Sequence, residues 1–453
     1  MKWLLKILKI IGVLTAVLLL FLVFSVEPVE DASDEFLSAY DKSLNSIAEW
    51  DFEITKDTAQ PFKIGWAKAS IMPKQVSPMA GYRYRSAFQS VHDSLFCRAF
   101  VLKKGDIKAA MVTLDMLIFP PAVVAELKNK LQETTWQLDE LYLSATHTHN
   151  GTGNWAKGAY GIFVSGGFDQ DYVASIAEAI AKAIENAEKS AQIGQMGIGS
   201  CEAPNFVRNR LIQEGLENSQ LKWIRFAKES GAEAALISFT AHPTTISSKH
   251  HVISNDYPHF LEKYLLQNSH LEMAAFFAGP MGSHAPEGQK GGASDYFALP
   301  AKIGEGLAKK VLQDWNKADF FSPTSLSVDQ VPIYLEDLHI RFLPKWRTRA
   351  WLFKALTEQQ DLYIDVLQID SLTFLSTPCD FSGELAIDIN QSLSAQRKLM
   401  IHNFNGGYIG YITPDQYYHN ISKPETMEMN WVGPKNGSYM SDLILKILDK
   451  TKP

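Results

Sequence analysis

The sequence predicts a layered α/β fold, a mixed β-sheet with flanking helices, behind one apolar N-terminal helix. Three observations carry that prediction. From Phe62 onward, apolar runs of strand length alternate with stretches whose apolar residues recur at helical spacing. Two of the strand-like runs end in histidine, and ligand sites in α/β sheets favour the carboxyl ends of strands. The N-terminus carries a charge-free apolar run over 10–26.

That run is the clearest local signal. Lys2, Lys6 and Lys9 precede it, and with Trp3 to Leu8 the stretch approaches the roughly 20 residues that a spanning helix needs. No small-residue cleavage site follows, because the exit reads Phe24-Ser25-Val26-Glu27-Pro28. Residues 1–30 therefore read as an uncleaved single-pass membrane anchor, with a cleaved signal as the other reading. Lysines before the run and acids after it (Glu27, Glu30, Asp31) set the N-terminus in the cytoplasm and the body outside. Residues 31–60 read as a polar, helix-prone stalk and 61–453 as the folded body.

Within the body, 109–119 reads as a buried strand and 121–134 as an amphipathic helix with Val124, Leu127 and Leu131 on one face. A second strand is predicted over 141–149. The helix 171–189 has Val173, Ile176, Ala177, Ile180 and Ile184 at helical spacing, with Asp171 at its start. Further strands are predicted at 234–241, 273–278, 363–369, 372–377 and 398–403, and helices at 258–267, 296–317, 383–396 and 441–449. The alternation implies one mixed sheet. The segment 341–354 mixes Arg341, Lys345, Arg347, Arg349 and Lys354 with Phe342, Trp346, Trp351 and Phe353. It reads either as an amphipathic element at a lipid surface or substrate mouth, or as a basic helix face packed on the body.

Composition bounds the function. The chain has 453 residues, 46% hydrophobic and 21% charged, which are globular values. A net charge of −7 argues against nucleic-acid binding. Cys97, Cys201 and Cys379 are the only cysteines and form no zinc-knuckle spacing, so a metal would be held by histidine, carboxylate or tyrosine.

His147 and His149 sit two apart at the end of the predicted strand 141–149, where alternation points both imidazoles to one face. Asn150-Gly151-Thr152-Gly153 then turns the chain and opens that edge. His242 ends the strand 234–241 in the same way. Two strand ends bearing histidine make a metal site the sharper reading, whereas His250-His251 in a Ser/Lys-rich loop reads as solvated. Two histidines do not complete a zinc site. Asp380, Glu384, Tyr408 and Tyr411 are the candidate oxygen donors, and spacing does not choose among them.

The chain resembles the neutral/alkaline, non-lysosomal ceramidase family of zinc amidases. The blocks that carry the resemblance are Gly65-Trp66-Ala67, Met79-Ala80-Gly81-Tyr82, 91–99, Ser144-Ala145-Thr146-His147-Thr148-His149, 239–244, 253–258, 408–413 and 431–434. The two histidine blocks are the specific ones, and all stand in the family's order. The resemblance implies a Zn2+ ion held by His147, His242, Asp380 and Tyr411. It further implies catalytic roles for His149 as proton carrier, Arg210 as holder of a substrate oxygen, and Ser283 as a substrate contact. Asp380 stands where the family has glutamate, and the loop around Ser283, with His284 beside it, is longer than the family's. The resemblance covers the catalytic domain without the family's Ig-like C-terminal domain. The implied reaction is zinc-dependent hydrolysis of the N-acyl amide of a ceramide-like lipid, a small-molecule partner that suits a membrane-held enzyme. Hydrolysis of an ester or a cell-wall or sugar amide on the same scaffold is the second reading. A non-catalytic binding protein, suggested by Asp380 and the altered serine loop, is the third.

Overall fold

The alternating apolar runs build two stacked sheets, where the sequence predicted one. The computed structural model describes residues 2–54, 59–82, 85–292, 295–358 and 360–451; residues 55–58 of the expected stalk lie outside these. The larger sheet holds β1 (Lys63–Ser70), β2 (Phe96–Lys104), β3 (Ile107–Leu114), β4 (Leu141–Ala145), β5 (Gln192–Glu202), β6 (Gln220–Lys228), β7 (Glu233–Phe239) and β8 (Leu271–Ala278), in the order β8-β7-β6-β5-β1-β2-β3-β4. The smaller holds β9 (Ser327–Pro332), β10 (Tyr363–Ile369), β11 (Leu372–Thr377) and β12 (Lys398–Asn403), paired in that order.

The helices cover the two outer faces. α1 (Lys2–Ser25) is apolar, exposed along most of its length, and long enough over Trp3–Ser25 to cross a membrane. α2 (Asp34–Glu49) is capped by Ser33 and docks on the body, with Tyr40 donating to Asp442 at 2.6 Å and Trp50 to Asp329 at 2.8 Å. α3 (Pro121–Leu131), α4 (Gln170–Lys189), α5 (Asp256–Asn268) and α6 (Ala298–Gln313) pack on the outer face of the larger sheet. α7 (Gly383–Ser392) and α8 (Asn436–Lys450), with α2, pack on the smaller one.

Strand β2 shows why the runs read as continuously apolar. Cys97, Ala99 and Val101 face α4, while Phe100 and Leu102 face Leu367 and Phe374 of the smaller sheet. A strand buried on both faces has no polar face to alternate with. Truncating the fully buried Phe100 to alanine would cost about 3–5 kcal/mol, the usual range for an aromatic core deletion.

Three right-sized βαβ units position the site. β3 and β4 are parallel across α3, β7 and β8 across α5, and β11 and β12 across α7. The free edge of β4 is held by side chains of the smaller sheet. Leu143 N–H donates to Asp365 at 3.1 Å, Ser376 donates to the Leu143 carbonyl at 2.6 Å, and Ser144 donates to the Asn403 carbonyl at 2.9 Å. The ends of β4 and β11 are thereby tied together. On the other side, Thr113 of β3 donates to the Phe276 carbonyl of β8 at 2.9 Å, which draws the two margins of the larger sheet together.

Several boundaries differ from the sequence expectation. β3 stops at Leu114, and α3 at Leu131, whose carbonyl accepts from the Thr134 hydroxyl at 2.8 Å. α4 is capped by Asp169, with Asp171 in its first turn. The predicted strand 141–149 ends at Ala145, so the histidine pair is not on a strand. The segment 341–354 is not one helix. It is a hairpin, Arg341–Leu343 with Trp346–Thr348, followed by the short helix Ala350–Leu356. Pro344-Lys345 at its middle interrupts helical hydrogen bonding and supplies the turn.

Candidate metal centre

His147 and His149 converge through a loop. Past Ala145 the chain leaves the sheet, and His147 adopts a left-handed backbone with φ 64°. That conformation is costly for a side-chain-bearing residue and persists only where its surroundings fix it. Thr146 donates to Asn255 Oδ1 at 2.5 Å, and Thr148 donates to the Ser254 carbonyl at 2.7 Å. Asn255 in turn donates to Asp115, which pairs with the buried Arg98 at 2.7 Å. The result sets the two Nε2 atoms 3.1 Å apart. The sequence reading of two side chains on one strand face reached the right juxtaposition by the wrong geometry.

His242 follows the end of β7 and is fully buried. Its ring centroid lies 4.7 Å from that of His147. Asp380 follows β11 and pairs in a two-residue parallel ladder with Tyr411. That ladder carries carboxylate and phenol to the histidines together. Asp380 Oδ1 lies 3.2 Å from His242 Nε2 and 3.5 Å from His147 Nε2. The Tyr411 hydroxyl lies 3.1 Å from His242 Nε2. Tyr408 donates to Asp380 Oδ2 at 2.7 Å and so orients the carboxylate. Glu384 is elsewhere, accepting from Asn209 at 2.7 Å and Tyr417 at 3.1 Å.

The tautomers follow from the partners. His147 Nδ1 donates to the Leu117 carbonyl at 2.5 Å and His242 Nδ1 to the His284 carbonyl at 3.0 Å, since a carbonyl only accepts. Each Nε2 therefore presents a lone pair to the shared space. Burial pushes the His147 imidazole down to about 3, against the pull of Asp380, and holds His242 and His149 well below the usual histidine range. Burial also raises the Asp380 carboxyl, opposed by His147, Tyr408 and Arg210. Two neutral imidazoles, a phenol and a buried carboxylate oxygen that meets the hydrogen-bond geometry with no donor among the described residues are the donor set a divalent cation satisfies. The residues present fit zinc.

The other implied residues fall around this set. His149 is half-buried; its ring packs 4.9 Å from Tyr82, and its Nδ1 has no partner among the described residues. Arg210 lies over the Tyr411 ring at 5.0 Å and pairs with Glu425 at 3.2 Å. Its electrostatic pull on Tyr411 opposes the rise that burial imposes on that phenol. Ser283 is not brought into the cluster. Its hydroxyl is fully buried, bonded to His284 Nδ1 at 2.9 Å, to Ser382 at 2.9 Å and to the Gly383 N–H at 3.1 Å. His284 Nε2 accepts from Asn218 N–H at 2.8 Å, so both residues brace the start of α7 and the carbonyl that holds His242.

Residues that the motif reading left without a role complete the site. Phe404 stacks on His147 at 4.2 Å, and its only sequence signal is its place after β12. Gly81 has φ +111°, and a Cβ there would come 2.4 Å from His149 Cα, so only glycine lets this turn close over the histidine. Asp93 accepts from Asn255 N–H at 2.7 Å and from Ser254 at 2.6 Å, fixing the loop that holds Thr146 and Thr148. A cavity of about 300 Å³ opens beside Tyr408 and Trp431, lined also by Phe353, Leu335 and Leu362.

Fold and donor set together define a layered α/β protein with a buried, metal-ready cluster at strand ends. Residues 62–275 match the family model described as neutral/alkaline non-lysosomal ceramidase, N-terminal, the family that the histidine blocks resemble. The neutral ceramidase of Pseudomonas aeruginosa is 29% identical over 217 residues, 43% of this chain and 32% of that protein. Neutral ceramidase A of Dictyostelium discoideum is 27% identical over 236 residues, 48% of this chain and 31% of that protein. The aligned stretches thus span about a third of these relatives. The crystal structure of the Pseudomonas aeruginosa neutral ceramidase superimposes with a TM-score of 0.72 at 19% identity, covering 86% of this chain and 75% of that one. A ceramidase complexed with C2 gives 0.70 at 19% identity, covering 87% and 76%. The shared fold therefore extends well beyond the matched segment.

Proposed function

We propose that this chain is a zinc-dependent amidohydrolase that cleaves the N-acyl amide bond of a ceramide-like lipid while held to a membrane by α1. One observation carries the reading: His147 Nε2, His242 Nε2, Asp380 Oδ1 and the Tyr411 hydroxyl converge. Asp380 reaches the histidines although its side chain is one methylene shorter than the family's glutamate. A zinc ion held by these four residues would supply a Lewis acid that polarises a carbonyl and acidifies a water. The names of the relatives supply the substrate class.

The protein's own residues divide the remaining work. His149 is neutral at working pH because burial and its histidine neighbours disfavour its charge. It accepts the proton of the attacking water at Nε2, the atom facing the donor set, and returns it to the leaving amine. The Tyr411 hydroxyl, with the Arg210 charge behind its ring, favours negative charge developing on the carbonyl oxygen. Phe404 and the Gly81 turn keep His147 and His149 in register. Lys2, Lys6 and Lys9 in the first turns of α1 support an N-terminus in the cytoplasm, with this site outside.

The test is hydrolysis after chelation and zinc restoration, with an N-acyl sphingoid lipid, the matching ester and a cell-wall amide as substrates. The reading requires zinc-restored cleavage of the N-acyl lipid that disappears in His149→Ala. Cleavage of only the ester or the cell-wall amide would replace the substrate class. No cleavage by a zinc-loaded protein would replace catalysis with binding.

A further inference from the structure

We infer that the hairpin formed by Arg341–Leu343 and Trp346–Thr348, with Trp351 and the tip of the helix Gly158–Ser165, is a bilayer-embedded surface that seats the body against the membrane beside its own anchor. The inference rests on the reading of α1 as a membrane span.

The anchor is joined to this surface with no free linker. α1 ends at Ser25, and the next three residues pair as a strand with the hairpin: Val26 with Thr348, Glu27 with Arg347, Pro28 with Trp346. Arg347 pairs with Glu27 at 3.0 Å, and Arg349 N–H donates to the Ser25 carbonyl at 2.8 Å. Three extended residues cover only about 10 Å, so the hairpin cannot stand far from where the helix leaves the hydrocarbon. Trp351 reaches further. Its Nε1 donates to the Phe24 carbonyl at 2.7 Å, and its ring meets that of Phe21 edge-on at 6.2 Å. Phe21 lies about 6 Å below the helix end at the α-helical rise per residue, so Trp351 sits alongside the span at interfacial depth.

The chemistry of the surface matches that place. Phe342, Leu343, Trp346 and Trp351 are 44–50% exposed, and Ile162 and Phe163 are 59% and 51% exposed. Large apolar side chains gathered on one face are unusual on a water-facing monomer. The helix Gly158–Ser165 abuts the helix Ala350–Leu356, where Gly158 packs against the Leu356 carbonyl, so the two parts form one surface. Exposed Lys345 and Arg349 lie among the aromatics, the arrangement that favours anionic headgroups over an apolar layer.

This surface also continues into the candidate site. Phe163 contacts Tyr160 at 6.5 Å, Tyr160 meets Trp431 at 5.4 Å, and Trp431 meets Tyr408 at 5.4 Å. Tyr408 carries the hydrogen bond to Asp380. An amphiphile leaving the bilayer here meets an aromatic wall that ends at the metal donors, which makes a bilayer-resident lipid, rather than a dissolved one, the substrate form this face serves.

The test is depth measurement by nitroxide labels on the full chain in vesicles containing phosphatidylglycerol, with Cys201→Ser to leave only the buried Cys97 and Cys379. Labels go on Leu343→Cys, on Leu14→Cys within the anchor, and on Ile193→Cys at the opposite end of the larger sheet. Accessibility to oxygen and to a water-soluble nickel chelate reports depth. The expected result is Leu14 in hydrocarbon, Ile193 in water, and Leu343 about 5–10 Å into the headgroup and acyl boundary. Leu14 in hydrocarbon with Leu343 as water-accessible as Ile193 overturns the embedded surface alone. Leu14 in water overturns the anchor reading and this surface with it. Neither result bears on whether the site hydrolyses amides.

Discussion

Replacing Tyr408 with phenylalanine should loosen zinc binding while leaving the fold standing. The Tyr408 hydroxyl donates to Asp380 Oδ2 at 2.7 Å, and among the described residues Oδ1 has no hydrogen-bond donor at all. The Tyr408 bond therefore helps to aim a carboxylate that lies 3.2 and 3.5 Å from the two histidine nitrogens. Hydrogen bonds to charged groups contribute about 1.5–3 kcal/mol, which corresponds to a factor of roughly 10–150 in binding. Losses of outer partners of metal ligands run at about 10–100-fold in affinity, so the two arguments agree. The ring itself, packed on Trp431 at 5.4 Å, is kept in the variant. The assay is competition for zinc against a chelator of known affinity, alongside thermal unfolding of the metal-free protein. Affinity within twofold of wild type would show that Asp380 is not aimed by Tyr408, or is not a ligand. A collapse in metal-free stability would show that the bond serves folding instead.

Three further outcomes are expected. Gly81→Ala places a Cβ against the His149 backbone at a φ of +111°, so hydrolysis should fall more than about 10-fold with zinc content unchanged, given that strain of this kind costs about 1–3 kcal/mol; turnover and bound metal, measured together, check it. Arg98→Met leaves Asp115 and Glu262 buried without their shared cation and should cost about 3–5 kcal/mol in chemical denaturation, since the partners now lie 2.7 and 2.5 Å from the guanidinium. His402 is buried between the sheets, accepts or donates at 2.7 Å with Tyr142, and is held down to about 3 by burial and by Lys222. Its folded pKa lies below the unfolded value near 6.5, so the unfolded chain binds the extra proton and stability falls as pH drops from about 6.5 toward 3. His402→Gln should flatten that fall by up to about 1.4 kcal/mol per pH unit in urea titrations at pH 6 and pH 5, and an unchanged slope would remove His402 as its source.

Much of the fold was legible because buried strands and amphipathic helices write their period into the sequence. The face of α4, Val173, Ile176, Ala177, Ile180 and Ile184, is buried as its spacing predicts. The second sheet was not legible, because a strand covered on both faces reads the same whether its neighbours lie in one sheet or two. The histidines at β4 and β7 were visible as residues, but the turn that joins His147 to His149 depends on Asn255 and Ser254, more than a hundred positions away. Asp380, rather than Glu384, is carried beside the histidines by the short ladder with Tyr411, a pairing no local pattern announces. The basic and aromatic segment 341–354 misled in the opposite way: its helical look came from composition, while Pro344-Lys345 and pairing with residues 26–28 make it a hairpin.

Zinc content per chain tests the account most directly, measured on His242→Ala and His149→Ala purified without chelator. His242 presents its Nε2 to Asp380 and Tyr411, whereas His149 stands at the edge of the set, facing His147. His242→Ala is expected to lose the metal, and His149→Ala to keep it while losing hydrolysis. Full zinc in both variants would contradict that expectation, and the donor set would have to be sought elsewhere.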